Sequence, residues 1–251
     1  MLEPAAYGDA IADVYDDWYG DVSDVEGTVA AVVALVAGGP VLELGIGTGR
    51  IAIPLAAAGV EVHGVDASPA MLDRMRAKPG GDRIPTTVAD FAEQLPEVPG
   101  GFAVVLVTFN TFLNLVAPGA QERCLALARN VLRPTGVLVI EAFVPGEDPV
   151  PSGVDVRSVG AEEVVLSVFR TEGQVVEGSL VSLSPAGGVK LRPWAVLPRT
   201  PEQLDRLARD AGFELESRHA GWRDEPYDDF AERHVTVYRR GSGSFGAVIV
   251  S

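Results

Sequence analysis

Glu43 stands two residues ahead of three glycines set at alternate positions, Gly45, Gly47 and Gly49, in the stretch VLELGIGTGR. A short apolar strand thus ends in an acid and then in backbone stripped of side chains. Glycines there open left-handed conformations and remove the side chains that would block a ligand. The helix that follows offers its N–H groups and its positive end. Asp66 closes the next apolar run, VEVHGVD, at the separation of about 20 residues expected for an acid that receives ribose hydroxyls. Asp90 closes the third, TTVAD. A dinucleotide suits these residues less well, because Arg50 stands where the nicotinamide fingerprint places a small residue. Glu43 would also repel a pyrophosphate. A nucleoside ligand with an ammonium group and no phosphate satisfies both the acid and the glycines, and S-adenosylmethionine is such a ligand.

The elements that must position these residues alternate along the chain. Asp21 to Gly38 is a helical stretch ending in glycines, as helix C-termini commonly do. Strands are expected at Val41–Leu44, Val60–Val65, Thr86–Ala89, Ala103–Phe109 and Val137–Phe143. Helices are expected at Arg50–Ala58, from Ser68 through SPAMLDRMRAK, and from about Gln121 to Val131. Ser68 is a ready N-cap, with Pro69 at the first helical position. Near-continuous apolar strands between amphipathic helices imply an α/β fold, a mostly parallel sheet covered on both faces. From Val144 to Leu197 the pattern changes to period-two alternation with turn signals, which predicts antiparallel strands inserted after the fifth strand. A helix follows at Thr200–Ala211, then strands at Phe213–Arg218 and His234–Arg239, bringing the main sheet to seven. The expected organisation is one domain over residues 1–143 and 200–240, an antiparallel cap over 144–199, and a loose tail over 241–251.

Composition narrows the function. A chain of 251 residues with 47% hydrophobic content can bury one large core. No apolar run approaches the roughly 20 residues of a spanning helix, and the opening MLEPAAYGDAIADVYDDWYG lacks the features of a signal peptide. The single cysteine, Cys124, excludes an internal disulfide framework and is compatible with a reducing compartment. A cytoplasmic protein with no membrane partner is the expectation. A formal net charge of −15 repels nucleic acid and anionic lipid. It suits neutral or cationic small molecules, and equally serves solubility. No metal-ligand spacing is visible, so no metal is expected.

ELGIGTGR, followed by VDASPAML, the acid of VADF and a polar turn after the fourth strand, resembles the class I S-adenosylmethionine-dependent methyltransferases. The likeness covers roughly Tyr7 to Phe143 and resumes from Thr200 to Arg239. The early YDDWY segment and the antiparallel insertion resemble small-molecule enzymes, notably aminosugar N-methyltransferases of natural-product pathways. The resemblance implies a Rossmann-like, seven-stranded, mostly parallel sheet with helices on both faces. It also implies S-adenosyl-L-methionine as cofactor and S-adenosyl-L-homocysteine as product. Carried over, Glu43, Gly45, Gly47 and Gly49 would hold the methionine end and Asp66 the ribose. Ala67 and Met71 would line the adenine pocket, Asp90 would take the adenine amino group, and Phe91 would support the ring. Thr108 and Phe109 would face the sulfonium. Tyr15 and Tyr19 share a helical face and either close over the cofactor or staple the first helix to the core.

Methyl transfer needs little beyond alignment, and a base only where the nucleophile sheds a proton. His219 and His234, which flank the Trp222–Tyr227 loop, and Glu141 near the end of the fifth strand are the candidates. His63 reads as structural. Asn110 and Asn114 in FNTFLNL lie where the resemblance puts a held nucleophile, while Trp194 and Trp222 could wall a substrate or belong to a core. The expected activity is in-line methyl transfer to nitrogen or oxygen of a small molecule. The alternatives are sulfur or carbon methylation of a peptidic or aromatic natural product, a nicotinamide-dependent oxidoreductase, and a non-catalytic cofactor binder.

Overall fold

The computed structural model describes residues 2–20, 22–146 and 151–241. The chain opens with two short helices, α1 (Ala6–Ile11) and α2 (Tyr15–Tyr19), then α3 (Val25–Val36). Next come β1 (Val41–Leu44), α4 (Ala52–Ala57), β2 (Val62–Asp66), α5 (Pro69–Arg76), β3 (Thr86–Val88), β4 (Phe102–Val107), α6 (Ala120–Val131) and β5 (Leu132–Phe143). Four consecutive strands follow: β6 (Gly153–Val159), β7 (Val164–Glu172), β8 (Val175–Ser184) and β9 (Gly188–Val196). The chain then returns through α7 (Pro201–Asp210), β10 (Phe213–His219) and β11 (Arg233–Arg240). The expected tail falls, apart from Gly241, outside the described residues.

The main sheet has seven strands in the order β10-β11-β5-β4-β1-β2-β3. Only β11 runs against its neighbours. Alternate side chains of each strand enter two separate cores. Leu42, Val105, Val107, Leu138 and Ile140 pack with Cys124, Leu125 and Ala128 of α6 and Leu204 and Ala208 of α7. Val41, Val104, Leu106, Val137 and Val139 pack on the other face with Val32 of α3, Leu55 of α4 and Leu72 and Met75 of α5. The continuous apolar runs are therefore strands covered on both faces. The four later strands form their own antiparallel sheet, β6-β7-β8-β9.

Local chemistry sets most helix starts. The Ser68 hydroxyl accepts the Met71 N–H at 3.2 Å, with Pro69 at the first position of α5. Thr200 and Gln203 form a reciprocal capping box on α7. The expected long first helix begins instead at Val25, where Asp24 accepts the Gly27 N–H at 2.9 Å. α4 starts at Ala52 rather than Arg50, because Arg50 and Ile51 still belong to the glycine turn. β4 ends at Val107, two residues early, because Phe109 and Asn110 both turn left-handed, at φ +51° and +65°.

Candidate active site

The carboxyl ends of β1, β2 and β4 meet at the glycine turn, the edge where ligands bind in open α/β sheets. Gly45, Gly47 and Gly49 all have positive φ, at +68°, +56° and +77°. The sequence suggests that all three clear space for a ligand, and the structure corrects this for two of them. A Cβ on Gly45 would run into the Thr111 methyl group, and one on Gly49 into Met75 and Ile53. Of the three, only Gly47 leaves room for a Cβ, which would meet just the Gly45 carbonyl oxygen at 3.9 Å. Asp66 braces the turn from β2, accepting the Gly47 N–H at 2.8 Å with one oxygen and the Ser68 N–H at 2.8 Å with the other. Burial holds its carboxyl above the ordinary value, against the pull of those two N–H groups.

Glu43 is 2% exposed, and among the described residues its Oε2 has no hydrogen-bond partner. Burial pushes its pKa up to about 8, despite the nearby Arg50 guanidinium, with Asp66 adding to the rise. A buried carboxylate short of a partner is costly unless a cation meets it. The acid lines a small cleft with Tyr15, Gly45, Gly47, Thr48, Arg50, Thr108 and Phe109. The Arg50 guanidinium lies over the Phe109 ring, 4.5 Å from its centroid, and donates to Ser23 Oγ.

Beside the cleft opens a cavity of about 470 Å³. Its walls come from Tyr7, Tyr15 and Tyr19 of the N-terminal helices, Phe109 and Phe143 at the strand ends, and Phe169 and Trp194 of the antiparallel sheet. Tyr15 and Tyr19 stand 5.1 Å apart, and Tyr19 meets Phe109 edge-on at 5.6 Å. Burial raises the pKa of Tyr7 and pushes that of Tyr15 to about 12, so both phenols keep their protons. The left-handed Phe109–Asn110 pair is strained for non-glycine residues. Three hydrogen bonds hold it: Glu141 Oε2 accepts the Phe109 N–H at 2.8 Å, the Glu141 carbonyl accepts the Asn110 N–H at 3.1 Å, and Asn110 Oδ1 accepts the Phe143 N–H at 2.7 Å.

The structure brings together Tyr15, Tyr19, Glu43, the glycines, Thr108 and Phe109, with Asp66 behind the turn. Asn110, Asn114 and Trp194 join them around the larger cavity. Met71 is buried under α1 with Ile11 and Leu180. Ala67 follows Asp66 and is half-buried; Phe91 belongs to the α6-side core. Asp90 accepts the Ala92 N–H at 2.8 Å. The two histidines and Trp222 are not brought to the cavity. His234 is fully buried, bonded to Thr236 at 2.8 Å, and burial with the Arg218 charge lowers its pKa to about 4. His219 lies near Asp224 at 3.9 Å, on β10 at the sheet's far edge. Trp222 is core, packed with Val235 and Val237. Glu141 lines an adjoining pocket with Glu232 and Arg233, but its Oε2 is engaged by the Phe109 backbone.

Sequence reasoning missed Tyr7, Phe143 and Phe169 as cavity walls, and Asp16 as a clamp. Asp16 accepts from the Thr48 hydroxyl at 2.6 Å and pairs with Lys78 at 2.8 Å, pinning α2 onto the glycine turn. The signal for Tyr7 was available: three of the five tyrosines fall within the first 19 residues.

A family model described as a methyltransferase domain matches residues 41–136. The CcbJ methyltransferase from Streptomyces caelestis is 36% identical, with a TM-score of 0.87, over 96% of this chain and 100% of that one. The cypemycin N-terminal methyltransferase of a Streptomyces species is 29% identical over 96% of this chain and 100% of its own length. CalS10 from Micromonospora echinaspora, an amino pentose methyltransferase solved with S-adenosylmethionine bound, shares the fold at a TM-score of 0.65 and 21% identity, over 89% of this chain and 91% of that one. A buried acid with one carboxylate oxygen unpartnered, beside the turn at Gly47, fits a ligand with an ammonium group. The chain belongs to the S-adenosylmethionine-dependent methyltransferases, and S-adenosylmethionine is its cofactor.

Proposed function

We propose that this enzyme methylates an amine nitrogen of a natural product, a small molecule or the N-terminus of a peptide. The aromatic lining of the 470 Å³ cavity carries the reading. Methylation of a neutral amine leaves the positive charge on nitrogen, and the rings of Tyr7, Tyr15 and Tyr19 that line the cavity favour a cation there. Phe109 already takes the Arg50 guanidinium. Methylation of a hydroxyl ends neutral and draws no such benefit. The N-terminal methyltransferase of cypemycin, similar along the whole chain, agrees with an amine acceptor.

In this reading Glu43 and the open backbone at Gly47 hold the methionine end of the cofactor, and Asp66 holds the ribose. Ala67 and Met71 border the adenine, with Asp90 and Phe91 at its far side, while Thr108 and Phe109 face the sulfonium. The cofactor supplies an electrophilic methyl group on sulfur. Glu141 and Asn110 fix the strained turn that sets the Phe109 ring, so they act as positioning residues. Asn114 and Trp194 border the acceptor, and the protonated tyrosines serve as hydrogen-bond donors. Alignment in a walled cavity provides most of the rate.

Purified protein given S-adenosylmethionine and matched amines and phenols tests the reading through release of S-adenosylhomocysteine. Turnover with amines is expected; turnover confined to phenols or thiols would overturn it.

A further inference from the structure

Among the described residues, the wall of the 470 Å³ cavity carries two charged side chains, Asp155 and Arg157, both from β6. β6 is an edge strand of the antiparallel sheet, and its Val154 and Val156 face solvent. Asp155 pairs with Ser167 and Val156 with Leu166, after which the register slips and Ser158 meets Val165. Arg157 is therefore the extra residue of a bulge, a device that re-aims a side chain. It lines the cavity and acts on Tyr7: burial raises the pKa of that phenol, and the Arg157 charge pulls it down. The other three basic residues on the strands of this sheet are satisfied, Lys190 and Arg192 by Asp13 and Arg170 by Glu177. Arg157 makes no ion pair among the described residues, although the chain has 35 acidic side chains against 20 basic ones.

We propose that Arg157 is a specificity-determining residue that receives a carboxylate on the acceptor, so that the acceptor carries an amine at one end and an acid at the other. The inference deepens the amine reading and rests on it for the first of those ends. Phe109 and Tyr15, shared by the cofactor cleft and the cavity, mark where the amine meets the methyl group. Arg157 comes from the other sheet, and a cavity of about 470 Å³ is roughly 10 Å across, enough to hold both ends of one small molecule. An apolar body between them would lie against Phe169 and Trp194, which meet at 6.3 Å on the same wall. The planar guanidinium matches a carboxylate with two parallel hydrogen bonds. Asp155 on the same strand would repel a doubly charged phosphate more strongly than a singly charged carboxylate, which decides between the two anions.

Calorimetric binding to the full chain loaded with S-adenosylhomocysteine tests it, with para-aminomethyl-phenylacetate and its primary amide as probes. The two share amine, ring and shape and differ in the anion. The wild-type protein should favour the carboxylate about fivefold, the scale of a solvated ion pair. R157Q should erase that preference while affinity for S-adenosylhomocysteine stays unchanged, R157K should keep part of it, and D155N should widen it. A wild-type protein that does not favour the carboxylate, or an R157Q variant that still does, would overturn the proposal. Turnover of the same probes with S-adenosylmethionine separates it from the amine reading. Methylation of both probes with no preference in binding would sink the Arg157 assignment alone. An Arg157-dependent preference without methyl transfer would uphold the anion site and sink the amine reading alone.

Discussion

Glu43 is held between two opposing demands: its place beside the turn, and its burial without a full set of partners. Its folded pKa of about 8 lies above the ordinary 4.5, so it contributes stability at acid pH that is lost as pH rises through about 8. Glu43→Gln should flatten that decline in thermal melts of the ligand-free protein. A ligand ammonium reverses the preference and favours the carboxylate. Binding of S-adenosylhomocysteine at pH 7 should therefore release close to one proton, seen as a calorimetric enthalpy that depends on buffer ionisation. In Glu43→Gln that dependence should vanish. Asp66 tests the ribose assignment separately: Asp66→Ala in a folded protein should weaken binding by about 1.5–3 kcal/mol, as expected for hydrogen bonds to a charged group. Unchanged affinity would remove Asp66 from the site.

Among the elements, the turn after β4 and helix α2 matter most. The turn places two left-handed non-glycine residues in succession, and Asn110 both tolerates that conformation and closes it through the Phe143 N–H. Asn110→Ala should cost about 2 kcal/mol in urea unfolding, from a stranded N–H and a strained Cβ. Asn110→Gly should cost less, because it loses the same bond but relieves the strain. α2 is tied to the glycine turn by Asp16 through Thr48 and Lys78, and α1 is tied to the start of α5 where Ser68 donates to Asp9 at 2.6 Å. Asp13, between the two helices, ties them to the antiparallel sheet through Arg192 at 3.1 Å. Asp16→Ala should loosen this roof and weaken S-adenosylhomocysteine binding by about 1 kcal/mol, roughly fivefold. The melting temperature should move little, since the pair is partly solvated. A large loss of stability with unchanged affinity would make α2 a staple and not a roof.

The whole molecule carries its −15 over two sheets joined by the N-terminal helices. Self-repulsion at that charge works against compactness, and salt screens it over about 10 Å at 0.1 M. The melting temperature should rise as sodium chloride goes from about 0.01 to about 0.15 M, checked by scanning calorimetry. A fall would mean that ion pairs such as Arg192–Asp13 and Arg218–Asp205 outweigh the repulsion.

Local signals determined much of this protein from the sequence alone. Apolar runs located β1, β2 and β4, Ser68 and Thr200 announced their helices, and the acid–glycine–acid spacing pointed to a nucleoside ligand with an ammonium group. Those features depend on neighbouring residues and backbone preference, so one dimension carries them. Tertiary structure decided the rest. Alternation marks two faces on a strand but not which face is covered, so the outward side of β6–β9 was invisible. Positive φ explains a glycine but not its neighbour across space, so Thr111 behind Gly45 and Met75 behind Gly49 appeared only on folding. The loop carrying Trp222 and the strands bearing His219 and His234 lie beyond β5 at the far edge of the sheet. Strand order, which no local pattern encodes, carried those residues away from the cavity that Tyr7 and Phe169 came to line.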